Sequence, residues 1–283
     1  MKRNKLSSFF RKYTPFIRSQ MMNGLAYKSF LYTWFLSLII SAICFCFLWI
    51  GVYSSKENGA TVNGFSLNEM LFYYVFITFT QILITSSPSQ DSITTQVMDG
   101  TISTQLIKPL SYRLTMLFMS IGNFLSNYLL LILPVSILGI IIFHFTGIFI
   151  ISNVLDFILR YVLYILFCFI ASILYDSINY LFGICSFYTL ADFGMFLLKQ
   201  IIINFLSGTM LPLSFFPDIA KKILYYSPFA SLGQNPLLIL MGKMDYTGIL
   251  FNFGLILLWI VFFEIINKLF FNHAIKHVTI QGG

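Results

Sequence analysis

The sequence has few charged residues and no long polar segment. Charged side chains make up 10% of its 283 residues and hydrophobic ones 58%, whereas soluble domains average about 25% charged and about 45–50% apolar residues. This composition excludes an ordinary soluble protein and indicates a membrane protein. The connections between the apolar runs are too short to hold a soluble domain, so we expect a single transmembrane domain.

The sequence also lacks the common catalytic motifs. It has no Gly-x-Ser-x-Gly, no His-Glu-x-x-His and no pair of carboxylates at helical spacing inside an apolar run. A Walker A motif is missing as well, since the Gly242-Lys243 pair lacks the earlier glycine and the following hydroxyl. We therefore expect no enzyme activity and no cofactor on this chain, and any ATP hydrolysis that drives it would occur on a partner chain.

Metal sites and disulfides are not indicated. His273 and His277 stand at i and i+4, a spacing that suits two ligands on one helix face, but no third ligand lies near them in the sequence. All four cysteines lie in apolar runs without metal spacing, which predicts packing residues: Cys44, Cys46, Cys168 and Cys185.

Long apolar runs predict an all-α, polytopic membrane protein with six transmembrane helices. A helix needs roughly 20 apolar residues to cross about 30 Å of hydrocarbon, where its backbone groups must pair internally. The boundary between the fourth and fifth spans is poorly marked, because Asp176, Asp192 and Lys199 interrupt the apolar run. We place the spans near residues 30–53, 70–87, 114–143, 157–183, 193–210 and 246–267.

The distribution of basic residues predicts the topology. Seven of the seventeen Lys and Arg residues lie within the first 28 positions, with no acid among them, which favours a cytoplasmic N-terminus. Six spans then return the C-terminus to the cytoplasm and leave twelve of the seventeen bases inside. We expect a multi-pass protein of the cell membrane. The bases form no patch, so nucleic acid is not an expected partner.

Residues 1–28 form a basic and aromatic segment before the first span. An aromatic face with bases elsewhere is typical of an interfacial elbow helix, which would make membrane lipid a partner. A disordered basic tail is the alternative, and Pro15 favours it. The proposed face consists of Phe9, Tyr13, Phe16 and Ile17, and the bases around it are Arg11, Lys12 and Arg18.

Residues 207–243, after the fifth span, are rich in proline and glycine but still largely apolar. Pro212 and Pro217 break any helix through this point. The N–H and C=O groups of non-helical backbone at membrane depth need hydrogen-bond partners from protein or water. We predict a re-entrant turn with one or two small helices that cap the outer face. A plain outer loop is the alternative.

Asp176 is the deepest ionisable residue of the predicted spans. An acid at the centre of a span costs roughly 2.5–3.5 kcal/mol on insertion scales, so it normally faces protein or water. Asp176 would line a translocation path or a subunit interface, or else it marks a misplaced span end. Asp192, Lys199 and Glu264 are interpreted as boundary residues.

Residues 97–114, "VMDGTISTQLIKPLSYRL", carry a compact mixed-polarity segment between the second and third spans. Asp99 and Gly100 can start a short helix and Pro109 can end it. A helix of about two turns would expose an apolar knob that suits a socket on a partner protein. A polar loop resting on the headgroups is the alternative. The knob consists of Ile102, Leu106 and Ile107.

This segment resembles the signature after the second span in type-2 permeases of ATP-binding-cassette (ABC) exporters. The shared features are a glycine, a small polar run, a Leu-Ile-Lys-Pro-Leu core, then a hydroxyl and an aromatic residue. Residues 206–229, "LSGTMLPLSFFPDIAKKILYYSPF", are similar to the segment after the fifth span of that family. The order of elements agrees over nearly the whole chain.

The resemblance implies a permease subunit that pairs with a second permease, the same or related, and with separate ABC ATPase subunits that bind ATP and Mg²⁺. In the family, the segment between spans two and three is the coupling helix that enters the ATPase, and the segment after span five is an outer gate. The elbow helix, near residues 9–27, also contacts the ATPase. The implied coupling residues are Asp99, Gly100, Thr101, Ile102, Leu106, Lys108 and Pro109. The implied gate residues are Gly208, Pro212, Phe216 and Pro217.

The sequence therefore predicts an ABC exporter permease that moves an amphipathic or hydrophobic substrate, such as a peptide, drug, lipid or glycan, outward by alternating access. Two alternatives stay open. A membrane-embedded lipid-modifying enzyme would require a cluster of polar catalytic residues at one membrane face. An ion-coupled carrier would require essential buried acids.

Overall fold

The computed structural model describes residues 5–26, 28–56, 61–151, 153–189 and 192–277. It is 81% helical and contains no strands within those ranges, which confirms the all-α prediction. Val62 and Phe65 form an isolated antiparallel β-bridge in the loop before the helix that begins at Leu67.

The described residues form twelve α-helices. They are Lys5–Ala26 (α1), Lys28–Ser54 (α2), Leu67–Ile84 (α3), Ser89–Met98 (α4), Ile102–Leu106 (α5), Tyr112–Asn127 (α6), Leu133–Phe145 (α7), Val154–Cys185 (α8), Asp192–Leu206 (α9), Asp218–Tyr226 (α10), Gln234–Leu240 (α11) and Tyr246–Ala274 (α12).

Five segments of the described chain are long and apolar enough to cross a membrane. They are Phe35–Ser54, Leu67–Ile84, Tyr112–Phe145, Val154–Cys185 and Tyr246–Ala274. The fifth predicted span corresponds to α9, whose 15 residues are apolar but shorter than a full crossing. The first four predicted spans and the sixth thus coincide with these segments, whereas the count of six stays a prediction.

A π-helical turn, Tyr128–Ile132, joins α6 to α7 within one continuous span. The Leu133 N–H donates to the Tyr128 carbonyl, the wider i to i−5 spacing. Pro134 follows immediately in the first turn of α7 and lacks an N–H. The wider turn carries the chain past the proline without ending the span.

The long helix α8 lies at the centre of the bundle. It packs against α3, α4, α6, α11 and α12, and its side chains from Tyr164 to Tyr180 include many that are fully buried. Large aromatic residues of α3, among them Phe72 and Phe76, are also 0% exposed. The core of the chain therefore lies between α3 and α8, and the other spans surround this pair.

The N-terminal helix α1 is continuous through Pro15 and lies against α6. Tyr13 is 5% exposed, its ring centroid lies 5.1 Å from that of Phe118, and its hydroxyl accepts the Ser111 N–H at 3.1 Å. A Cβ on Gly122 would lie 2.8 Å from the Ile17 carbonyl oxygen, so the two helices touch closely. The aromatic face of α1 thus contacts protein, and the disordered-tail alternative is excluded for the described residues.

The two ends of α3 define the two ends of the bundle. At its beginning, Ser66 and Glu69 form a capping box, and Glu69 also pairs with Lys243 at 2.8 Å, so the segment before α12 lies at this end. At its other end the chain continues into α4 and α5. Lys243, which ends the segment 207–243, and the segment 97–110 therefore lie at opposite ends of α3.

Candidate functional site: a helical corner, a re-entrant hairpin and a buried ionic cluster

The segment after α3 forms a corner of two short helices, α4 and α5. Asp99 closes α4 by donating its N–H to the Thr95 carbonyl at 2.9 Å, and Gly100 follows with φ of +70°. A left-handed residue ends a helix, and glycine adopts this conformation without the penalty of a Cβ. The prediction that Asp99 and Gly100 start a helix is therefore wrong, because they terminate α4, and α5 spans only five residues.

The predicted apolar knob is partly wrong as well. Ile102 is 3% exposed and packs in a cluster with Ile93, Tyr112 and Met116, while Leu106 is partly buried against the same cluster. Ile107, in contrast, is 82% exposed. The face of α5 that carries Ile102 and Leu106 covers the ends of the longer helices, so only Ile107 of these three residues forms an exposed apolar tip.

The exposed residues of this corner form one surface, which we term the corner surface. Its turns are held by local hydrogen bonds, such as that from Thr104 Oγ1 to the Thr101 carbonyl at 2.7 Å, and Lys108 Nζ donates to Gln105 Oε1 at 2.6 Å. The corner surface consists of Met98, Asp99, Gly100, Thr101, Thr104, Ile107, Lys108 and Pro109. Five predicted coupling residues lie on it, and Ile102 and Leu106 do not.

At the other end of the bundle, the chain from α9 to α12 folds back into the protein. Two 3₁₀ turns, Leu213–Phe215 and Ala230–Leu232, flank α10. The next helix, α11, is deeply buried, since Leu237 and Leu240 are 0% exposed and α11 contacts both α3 and α8. This geometry agrees with the predicted re-entrant hairpin rather than with a plain loop.

Side chains of α3 satisfy the backbone of the hairpin. The Tyr73 hydroxyl donates to the Gly208 carbonyl at 2.6 Å, and the Tyr74 hydroxyl donates to the Met210 carbonyl at 2.7 Å. Gln81 Nε2 donates to the Leu232 carbonyl at 3.0 Å. Irregular backbone at membrane depth needs such partners, and the sequence alone did not identify them.

The four predicted gate residues occupy different places in the hairpin. Gly208 is buried, with φ of +84°, and Pro212 is buried before the first 3₁₀ turn. Phe216 is partly buried, with its ring centroid 5.2 Å from that of Phe205. Pro217 is exposed and precedes α10. The hairpin thus has a buried base at Gly208 and an exposed rim at Pro217.

An ionic cluster lies inside the end of the bundle that carries α4. The Asp176 side chain is 0% exposed, and its Oδ2 accepts from Arg113 Nη1 at 2.5 Å. Its Oδ1 accepts from the hydroxyls of Ser87 at 2.7 Å and Ser120 at 2.5 Å, and from Ser89. Asp176 lies nine residues before the end of α8, and its side chain is enclosed by its own chain. Its assignment to a translocation path, a subunit interface or a span end stays a prediction.

Arg113 joins Asp176 to Glu264 of α12. Arg113 Nη2 lies 2.5 Å from Glu264 Oε1, and Nε lies 3.0 Å and 3.1 Å from the two carboxylate oxygens. Ser177 also donates to Glu264 Oε1 at 2.7 Å. We term Arg113, Asp176 and Glu264 the ionic triad. It ties α6, α8 and α12 together, with α4 attached through Ser89.

Lys199 of α9 enters a second buried polar contact. The residue is 2% exposed, and its Nζ donates to Asn179 Oδ1 at 2.5 Å and to Gln90 Oε1. Lys199 is therefore an internal polar residue, whereas Glu264 is partly exposed, and the interpretation of both as boundary residues stays a prediction. The side chain of Asp192 lies outside the described residues.

Arg113 is one of the twelve bases that the predicted topology places inside, and the sequence indicated no further role for it. The sequence did indicate that a buried base was needed, because Asp176 and Glu264 lie in separate apolar runs and buried acids require a base to compensate their charge. The sequence contains few candidates, but nothing in it shows which base faces inward.

Comparison with curated proteins found no match, and comparison with solved structures found none. The model of one protein family, described as ABC-2 family transporter protein, matches residues 30–282, nearly the whole chain. The bundle, the corner after α3 and the hairpin before α12 all lie within the matched residues, and the chain belongs to the ABC-2 family, the permeases of type-2 ABC transporters.

Proposed function

We propose that the chain is the permease subunit of an ABC exporter, which moves an amphipathic or hydrophobic substrate outward by ATP-driven alternating access. Membership in the ABC-2 family implies a transmembrane subunit that works with an ATPase partner. Outward direction and the substrate class rest on the resemblance of the two signature segments. ATP and Mg²⁺ would be bound by the partner chain.

The corner surface carries this proposal. It combines an exposed apolar tip, Ile107, with the charged groups of Asp99 and Lys108 at one end of the bundle. Exposed apolar residues rimmed by polar ones mark interaction sites. The base of the corner packs on Tyr112, next to Arg113 of the ionic triad. A force on the corner would therefore reach α6, α8 and α12 through buried contacts.

A second permease copy, the same or related, would complete the transporter. The helix α9 exposes Leu197, Leu198 and Ile201, an apolar face that suits either lipid or a second subunit. In the proposed topology both termini and the corner surface are cytoplasmic, and the hairpin with its rim at Pro217 is the outer gate.

Substitution of Ile107 tests the docking role. The chain would be purified with its ABC ATPase in nanodiscs, and complex formation and ATP turnover would be measured. Ile107→Asp should weaken assembly at least tenfold, because truncating a central apolar contact typically costs about 2 kcal/mol or more. Its side chain is 82% exposed, so the fold of the permease should be unaffected.

Ile150→Asp is the matched control. Ile150 is 72% exposed and lies near Gly242 at the hairpin end of the bundle. It should leave assembly and turnover unchanged. Equal behaviour of the two variants would overturn the docking role. Ile102→Asp is unsuitable for this test, because Ile102 is buried and its substitution reports on folding.

A further inference from the structure

A cavity of about 590 Å³ opens between α6, α8 and α12, beside the ionic triad. This volume is within the range of small-molecule sites, about 300–1,000 Å³. Its walls are mainly apolar, with Ile260, Val261 and Ile265 of α12 among the lining residues. Val261 and Ile265 are more than half exposed on the surface of the bundle. The cavity is therefore accessible from the surface that a membrane would cover.

Two buried polar atoms at this cavity have no hydrogen-bond partner among the described residues: the Tyr180 hydroxyl and Asn267 Oδ1. Both residues are 1% exposed and both line the cavity. Asn267 Nδ2 donates to the Ser177 carbonyl at 2.9 Å, which fixes the amide and leaves its oxygen as a free acceptor. Buried groups of this kind usually have a partner, so each atom offers a hydrogen-bonding position to a ligand in the cavity.

The ionic triad beside the cavity carries a net negative charge. Every guanidinium nitrogen of Arg113 is already engaged, by Asp176, Glu264 or Ser177. The ionic triad contains one base and two acids, so it keeps one negative charge that no base within the triad compensates, and Lys268 is a further, exposed base at the cavity. The Glu264 side chain is 36% exposed and lines the cavity. Its Oε2 accepts only from Arg113 Nε within the described chain, which leaves room for a further donor.

We propose that this cavity binds a membrane amphiphile with an apolar chain and a protonated amine as its head group. The amine donates to Glu264 Oε2 and Asn267 Oδ1, with the Tyr180 hydroxyl as a third partner. The chain lies along Val261 and Ile265. An ammonium group offers three donors and no acceptor, which matches two acceptors and a hydroxyl. Lys268, also at the cavity, is exposed on the next turn after Glu264.

This site does not depend on the proposed transport function. Binding to the purified permease requires neither the ATPase nor substrate movement. Loss of ATPase coupling in Ile107→Asp would leave the amine site intact, and absence of the amine site would leave the docking role intact. The two proposals can therefore fail separately.

Photo-crosslinking tests the site. The purified chain in phosphatidylcholine nanodiscs would be exposed to a long-chain alkylamine with a diazirine in its chain, and to the matched fatty acid and alcohol. Cross-linked peptides would be mapped by mass spectrometry. We expect saturable labelling of residues 260–272 by the amine and weak labelling by the acid. Preferential labelling by the acid, or even labelling over all exposed apolar faces, would overturn the proposal.

Variants then test the head-group contacts. Glu264→Gln should weaken amine labelling about tenfold, equivalent to about 1.4 kcal/mol. Tyr180→Phe should weaken amine labelling severalfold, and it removes a hydroxyl that has no partner among the described residues, so it breaks no hydrogen bond within them. Lys268→Gln should preserve or strengthen labelling, because it removes a like charge.

Glu69→Gln provides the control, since Glu69 is a partly exposed acid paired with a base at the opposite end of the bundle. It should have no effect on amine labelling. Unchanged labelling in both Glu264→Gln and Tyr180→Phe, or its loss in Lys268→Gln, would contradict an amine in this cavity.

Discussion

At the scale of single residues, the contact between Asp176 and Arg113 is the strongest constraint on the end of the bundle that carries α4. A buried charge is costly unless it is paired and hydrogen-bonded. Asp176 meets this condition with Arg113 and three serine hydroxyls. Each of these partners lies far from it in the sequence, and the contact therefore exists only when α4, α6 and α8 are correctly packed.

We predict that Asp176→Asn lowers the free energy of unfolding by about 3 kcal/mol. Breaking a buried pair by removing one partner costs about 3–5 kcal/mol, and the lower value applies because Glu264 still compensates Arg113. Thermal unfolding in detergent would measure the loss.

Asp156→Asn is the matched control for this prediction. Asp156 lies on the same helix and pairs with Arg160 at 2.8 Å, but its side chain is 42% exposed. Exposed ion pairs contribute little to stability, so the thermal unfolding midpoint of Asp156→Asn should stay near that of the parent protein. A similar shift in both variants would show that burial of the pair does not determine its contribution.

The sequence predicted part of this residue-scale picture. The depth of Asp176 in an apolar run marked it as a residue that needs a partner. Its partners could not be identified, because Arg113 and Asp176 are 63 positions apart, and Arg113 and Glu264 are 151 apart. Helical periodicity describes one helix at a time and carries no information on which faces of distant helices meet.

At the scale of elements, the hairpin between α9 and α12 depends on a tight base. Gly208 has φ of +84°, and its carbonyl accepts from Tyr73. A Cβ added there would lie 2.9 Å from the Cβ of Gln234. Gln234 Oε1 in turn accepts from the Leu213 N–H at 2.5 Å. The two arms of the hairpin therefore meet at Gly208 and Gln234.

We predict that Gly208→Ala destabilises the chain more than Gly242→Ala. Both glycines have positive φ, which costs about 1–2 kcal/mol in any residue with a Cβ. Only Gly208 adds steric overlap, about 1–3 kcal/mol, because a Cβ on Gly242 would have its nearest contact at 3.7 Å. Thermal unfolding of the two variants measures the difference, and equal midpoints would mean that the hairpin base tolerates extra volume.

The elements themselves were predicted well where they are long and apolar, and poorly where they are short. Residues 157–183 were predicted as a span, and α8 covers them. Ile102 of α5 was predicted to be exposed but is buried, because a helix of one and a half turns contains too few residues to define an apolar face. Pro15 did not break α1, since the carbonyl four residues earlier belongs to exposed Arg11 and can be hydrated.

At the scale of the whole molecule, the segment before α12 and the corner surface lie at opposite ends of α3. Glu69, at the beginning of α3, pairs with Lys243, and the corner surface follows the other end of the helix. If α3 crosses the membrane once, the two segments face different compartments. This arrangement is required of a transporter that receives its driving force on one side and opens a gate on the other.

Cysteine labelling in intact cells checks this topology. With Cys44, Cys46, Cys168 and Cys185 replaced, Lys221→Cys should react with an impermeant maleimide added outside, and Lys108→Cys should react only after permeabilisation. Both lysines are exposed, so accessibility within the protein is not limiting. Labelling of both positions from outside would contradict the predicted orientation.

The ionic triad also has a consequence for biosynthesis. Ribosomes complete α6 first, then α8 and finally α12, so Arg113 enters the membrane before either carboxylate exists. Asp176 of α8 supplies the counter-charge, and Glu264 of α12 is added later. A nascent or truncated chain that lacks α12 would hold Arg113 without Glu264 and would leave Tyr180 and the α8 surface uncovered. Coverage of this side of α8 therefore has to wait until α12 has been made.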